Sequence, residues 1–169
     1  MKGMLAAMLP SRFVRNRDSE ELRSAERRSR SYWAVTCDID YFRRFNDIYG
    51  RIAGDETLRR VGEALAQGCQ SEEQVFNRGG SGFVIIFQDD SLDRAKLCAD
   101  EHRATVEALQ IPHQGSPLGV VTVSMGLATI VSGGTEATSE ALEKADAALC
   151  RAKEAGPNQV AAAASLALV

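Results

Sequence analysis

The sequence lacks any apolar run long enough to cross a membrane, which takes roughly 20 residues. The apolar start, Met1 to Pro10, holds a run from Gly3 to Leu9 at the short edge of a signal-peptide core, with no evident cleavage pattern. The run from Val160 to Val169 is also too short to span. The expectation is a cytoplasmic domain with no membrane span. An excess of one charge is lacking too. The formal net charge of -3 leaves no global field to draw the chain onto nucleic acid. Cysteines are few: Cys37, Cys69, Cys98 and Cys150. None forms a C-x-x-C pair, which argues against a zinc site. Scattered through an otherwise ordinary chain, they read as reduced core residues rather than as bridges. No internal repeat and no linker divides the chain.

What is present suits one globular domain. A chain of 169 residues can bury a proper core. With 44% hydrophobic and 25% charged residues, disorder, a fibre and a disulfide scaffold are excluded. Residues 1–31 read as a connecting segment, 32–164 as the domain and 165–169 as a tail. Ser11 to Arg30 holds seven arginines against four acids, and Asp18-Ser19-Glu20-Glu21 suits a helix start. That segment reads as a solvated connecting helix or as a short dimerising one.

Tyr32 to Cys37 is typical of a buried strand, ending in Asp38-Ile39-Asp40. Phe42 to Ile48 suggests a short helix stopped near Gly50. Gly54 to Ala66 carries Leu58, Val61 and Leu65 at helical spacing, with Gly68 at its end. Gln74 to Arg78 and Phe83 to Phe87 are strand-like, and Gly79-Gly80-Ser81-Gly82 between them predicts a β-hairpin. Asp90 to Leu109 predicts a helix capped by Asp90 or Ser91. Gly119 to Ile130 predicts a long strand, and Gly133-Gly134 a loop. Ser139 to Glu154 predicts a helix with Leu142, Ala145, Ala148, Leu149 and Ala152 on its apolar side, and Gln159 to Ala163 a last edge strand. Helices separating strands, plus one hairpin, imply an α+β fold with a mixed sheet under helical cover.

Asp38 and Asp40 stand two apart at a strand end, where carboxylates commonly hold Mg²⁺ against phosphates. The same pair would also suit capping of the helix that follows. Asn46 and Asp55 suit either turn and cap duty around Gly50 and Gly54 or a recognition role.

The spacing that follows is more specific. Asp38-Ile39-Asp40-Tyr41-Phe42-Arg43-Arg44-Phe45-Asn46-Asp47-Ile48-Tyr49-Gly50, then Gly54-Asp55, closely resembles the D-I-D-x-F-K-x-x-N-D-x-x-G and G-D pattern of diguanylate cyclase (GGDEF) domains. Ala145 to Asn158 resembles that family's A-D-x-A-L-Y-x-A-K-x-x-G-R-N block, and Ser124-Met125-Gly126-Leu127-Ala128 its S-x-G-x-A strand. The resemblance covers about Tyr32 to Asn158. It implies a palm-like fold, related to the ferredoxin-like and nucleotidyl-cyclase type, with a central mixed antiparallel sheet flanked by helices. It also implies joining two GTP molecules, one on each of two facing domains, into cyclic di-GMP with Mg²⁺. Carried over by position, Asp38 and the Ile39 carbonyl would ligate metal. Phe42 and Arg43 would lie near the phosphates, Asn46 and Asp55 would read the guanine edge, and Lys153 would touch phosphate.

The signature turn departs from the pattern. Gly79-Gly80-Ser81-Gly82-Phe83 keeps the residues that shape the hairpin and carries Ser81 and Gly82 where the family has two acids. Phosphoryl transfer depends on positioning and on charge neutralised by metals, and serine is a poor base. No catalytic residue is therefore expected at the turn. Pro157 replaces an arginine of the second block. Gln70-Ser71-Glu72-Glu73 stands where a product-binding R-x-x-D motif would end, and an acidic stretch cannot grip an anionic product. Three readings follow: a domain without cyclase activity that binds a guanine nucleotide or a protein partner, itself or another; a residual cyclase or nucleotide hydrolase; and a purely structural domain.

Overall fold

A computed structural model describes residues 31–69, 73–89, 91–130 and 135–164. The expected helix within Ser11–Arg30, the Gly133-Gly134 loop and most of Gln70–Glu73 lie outside these residues. The elements in chain order are β1 (Ser31–Ile39), α1 (Phe42–Tyr49), α2 (Arg51–Gln67), β2 (Gln74–Gly79), β3 (Gly82–Asp89), α3 (Leu92–Glu107), β4 (Val123–Ile130), α4 (Thr135–Ala155) and β5 (Val160–Ala162). The sheet order is β2-β3-β1-β4-β5. All neighbours are antiparallel except β4 and β5, which run parallel. This is the expected α+β palm-like sheet.

β1 is the central strand, and period-two alternation divides its side chains between two cores. Val35, Cys37 and Ile39 pack with Val123, Met125 and Leu127 of β4, beneath Phe45 of α1, Val61 and Leu65 of α2 and Ala95 and Ala99 of α3. Ala34 faces the other way, with Ile130 and Ala141 of α4. The fully buried side chains of α4 among the described residues are all small, Ala141, Ala145, Ala148 and Ala152, with Leu142 partly buried beside them. Its backbone therefore comes very close to β4. A Cβ on Gly126 would stand 2.0 Å from the Ala145 carbonyl oxygen and 2.3 Å from the Leu149 nitrogen.

Several boundaries differ from the sequence expectation for identifiable reasons. The strand expected from Gly119 begins only at Val123, because Gly119 has φ +73° and the chain before β4 forms a local turn instead. There Val121 donates to the Ile111 carbonyl at 2.8 Å and His113 to that of Gly119 at 2.8 Å. α2 starts at Arg51 rather than Gly54, since Gly50 at φ +85° alone makes the break from α1. α3 is capped by Ser91, whose hydroxyl accepts from the Arg94 nitrogen at 3.3 Å. α4 begins four residues before the expected Ser139. The four cysteines are free, as expected, but only Cys37 is buried and Cys150 is exposed.

The contact at Gly126 yields a direct test. Gly126→Ala should force α4 off the sheet and lower the unfolding free energy by about 2–4 kcal/mol, read as a shifted urea midpoint. A midpoint within experimental error of the wild type would refute the close approach.

Candidate functional site

β1 leaves the sheet at Ile39, and the two aspartates at its end part company. Asp40 is buried. It accepts from Thr122 Oγ1 at 2.8 Å, Ser124 Oγ at 2.8 Å and the Asn158 backbone N–H at 2.8 Å. It caps no helix: the residue preceding α1 is Tyr41, in a left-handed conformation with no side-chain cap. Asp40 thus ties β1 to β4 and to the turn entering β5. Asn158 is held at that turn from its other end, where its Oδ1 accepts from Arg103 at 2.7 Å.

Asp38 faces the hairpin. In the sheet it pairs with Gly82 of β3 on one side and Ser124 of β4 on the other. Its carboxylate accepts a hydrogen bond from the Ser81 hydroxyl and forms an ion pair with Lys153 of α4. Ile39, buried, donates its N–H to the Ser81 carbonyl at 3.1 Å, which fixes the turn against the strand end. The turn itself is Gly80-Ser81 between paired Gly79 and Gly82, with positive φ at Gly79 and Gly80. Phe83 enters the core. An open cleft of about 360 Å³ lies here, lined by Asp38, Arg78, Gly79, Gly80, Ser81 and Leu149 among others. Arg78 is held by a bidentate pair to Asp146 of α4 at 2.5 and 2.7 Å. Cys37 also lines the cleft, but burial first, and the neighbouring Asp38 and Asp40 after it, push its thiol well above the usual range. It is neutral and no nucleophile.

The other predicted residues lie on α1 and α2. Phe42 opens α1 and stacks on Phe45 with ring centroids 6.1 Å apart. Asn46 Oδ1 is buried without a hydrogen-bond partner among the described residues. It sits against Gly54 of α2, where a Cβ would come within 1.8 Å of it. Gly54 is thus inside a helix and gives clearance to Asn46; it makes no turn. Arg43 and Asp55 are exposed on α1 and α2. The structure brings Asp38, Ser81 and Lys153 into direct contact, whereas Phe42, Arg43, Asn46 and Asp55 do not line the cleft at Asp38. Sequence reasoning missed the Arg78–Asp146 pair and the Asp40 network. Thr122 and Ser124, polar and two apart in a strand, were the available signal for the latter.

A palm-type sheet with a strand-end carboxylate beside a hairpin turn defines the class of domain. Comparison with known proteins agrees. The sequence model of the family described as diguanylate cyclase, GGDEF domain, matches residues 7–159. Diguanylate cyclase DgcP of Pseudomonas aeruginosa is 33% identical over 123 residues, which is 73% of this chain and 18% of that protein. Diguanylate cyclase DgcM of Escherichia coli is 35% identical over 135 residues, 80% of this chain and 32% of that protein. The GGDEF domain of DgcB from Caulobacter crescentus, crystallised in complex with c-di-GMP, superposes with a TM-score of 0.72 at 30% identity, covering 85% of this chain and 86% of that one. The chain belongs to the diguanylate cyclase (GGDEF) domain family and spans about a third or less of these two curated relatives. No helix among the described residues is long and apolar enough to cross a membrane.

Asp40 supplies the test of this geometry. Asp40→Ala strands two hydroxyls and one N–H and should lower stability by about 2–4 kcal/mol, read by urea denaturation. Asp47→Ala, at an exposed position of α1, should change it by less than about 0.5 kcal/mol. Equal effects of the two would refute the structural role of Asp40.

Proposed function

We propose that this chain is a GGDEF domain without cyclase activity that serves cyclic di-GMP signalling as a guanine-nucleotide-binding or protein-interaction module. The observation that carries the proposal is the state of Asp38. Among the described residues it is the one acid lining the cleft, and it is already satisfied by Ser81 and Lys153. Mg²⁺ takes one or two carboxylates, with phosphates and waters completing the shell. Asp38 with the adjacent hydroxyl of Ser81 fits one such ion in its chemistry. Two ions need acids at the turn, and Ser81 and Gly82 provide none. The loss of such groups costs on the order of a thousandfold in rate.

Binding is a lesser demand than catalysis. The Lys153 and Asp38 side chains are 38% and 27% exposed. A pair exposed to that degree is worth about 1 kcal/mol or less. A triphosphate arriving with its ion can therefore draw Lys153 away at little cost. Asn46 supports the guanine assignment in its own way. A buried amide oxygen without a partner costs about 1–3 kcal/mol, which a donor on the guanine edge would recover. Asp55, exposed next to Gly54, is free to accept from guanine N1–H and the exocyclic amine. Output would pass through a protein partner or a second copy of the domain.

A second reading keeps a specific support: Asp38 and Lys153 survive, so a slow cyclase or a GTP hydrolase using one Mg²⁺ is chemically coherent.

Two experiments separate these readings. Calorimetry with GTP and Mg²⁺ should give a binding isotherm, with ATP at least about tenfold weaker and Asp55→Ala weakening GTP by about tenfold. Absence of heat and of any thermal shift, or equal affinity for the two nucleotides, would defeat the guanine-binding proposal. Incubation with GTP and Mg²⁺, resolved by chromatography, should yield no cyclic di-GMP above a protein-free control. Turnover that Asp38→Ala abolishes would establish the second reading instead.

A further inference from the structure

Away from the cleft, the end of α2, the start of β2 and one face of α3 converge on a cluster with no part in nucleotide chemistry. The ligand-type atoms of Cys69, Glu73 and His102 all lie within 4.8 Å of one another. A fourth donor stands beside them: Cys98 Sγ is 3.1 Å from Glu73 Oε1, while His102 Nε2 is 3.0 Å from Glu73 Oε2. Cys98 and His102 are four apart on α3, so they share one helix face. None of the four lines the cleft at Asp38.

We infer that Cys69, Glu73, Cys98 and His102 form a zinc-binding site. Two sulfurs, one imidazole and one carboxylate are a borderline-soft set that suits Zn²⁺ and suits Mg²⁺ or Ca²⁺ poorly. Zinc bonds of about 2.0–2.3 Å in a tetrahedron put the donors roughly 3.3–3.8 Å apart, so a contraction of about 1 Å closes Cys69, Glu73 and His102 around an ion; Cys98, outside that mutually close group, must move in further from its place beside Glu73 to complete the shell. His102 is only 2% exposed, and its Nδ1 has no hydrogen-bond partner among the described residues. The imidazole is therefore directed into the cluster by Nε2 alone. The cysteines are half-buried, which leaves an entry path. A coordinating thiol is deprotonated outright by the metal, so both half-buried cysteines can serve as thiolate ligands. The site departs from the paired-cysteine spacing of common zinc motifs, because two ligands come from one helix face and two flank the α2–β2 connection. An ion there would tie α2, β2 and α3 together.

The full chain, chelator-treated and kept reduced, would be titrated with ZnCl₂ against a chromophoric chelator, and separately with CoCl₂. One equivalent of Zn²⁺ should bind and raise the melting temperature. Co²⁺ should give a thiolate charge-transfer band. Cys69→Ser and Cys98→Ser, both at half-buried positions, should each weaken Zn²⁺ binding by at least about tenfold and diminish that band, while exposed Cys150→Ser should behave as wild type. Failure to take up a stoichiometric ion would overturn the site. So would uptake that survives both cysteine substitutions unchanged. His102→Ala, if it folds by circular dichroism, should lose binding; retention of wild-type affinity there would equally overturn it.

Discussion

The contact on which the rest depends is the meeting of two backbones at Gly126. Any side chain there would hold α4 off the sheet, and the alanines of α4 allow the helix to settle onto it. α4 carries both groups that cross to the cleft: Lys153, which reaches Asp38 of β1, and Asp146, which reaches Arg78 of β2. Neither ion pair could form if the helix stood a few ångströms away. The small residues are thus less a filling of core volume than a distance setting. The burial they contribute is modest, at about 25 cal/mol per Å², and their value lies in the position they permit.

The two aspartates at the end of β1 illustrate how one strand end serves two purposes. Asp40 is enclosed, receives three hydrogen bonds, and secures the crossing of β1, β4 and the β5 turn. A buried carboxylate so fully engaged is not available to a ligand. Asp38, two residues earlier, is partly open, and its partners are a hydroxyl and a flexible ammonium. Both can exchange for other groups at low cost. The rigid member locates the labile one, which is how a binding group is generally held in place.

Much of this was legible in the sequence, and the unread parts have a common cause. β1, the hairpin and the helical faces followed from alternation and 3.6-residue spacing, which are local. Asp38 beside the turn followed from the resemblance. What escaped were partnerships across the sheet. Asp38-x-Asp40 leaves metal binding and capping open, and Asp40 turns out to cap no helix and to be engaged by Thr122, Ser124 and Asn158 instead. Gly54 looks like a turn residue but sits within α2, where its missing side chain makes room for Asn46. Gly119 lies in a run of strand-forming residues, yet its left-handed backbone delays β4 by four residues. In each case the deciding neighbour is distant in the chain.

The same distinction bears on why the turn lacks its acids. One explanation would be that the hairpin can no longer accommodate them. The geometry speaks against it. Gly82 does not have the left-handed backbone of Gly79 and Gly80, and a Cβ there would meet nothing nearer than the Gly79 carbonyl oxygen at 3.5 Å, an ordinary contact. Ser81 already bears a side chain aimed at Asp38. Acids at both positions are therefore sterically admissible. What would change is charge: a carboxylate at 81 would face that of Asp38, with Lys153 to share between them, and like charges that close need a cation. Serine removes this requirement, since its hydroxyl donates to the carboxylate that an acid would repel. The departure from the family pattern is thus a change of charge at positions where the backbone leaves room for side chains.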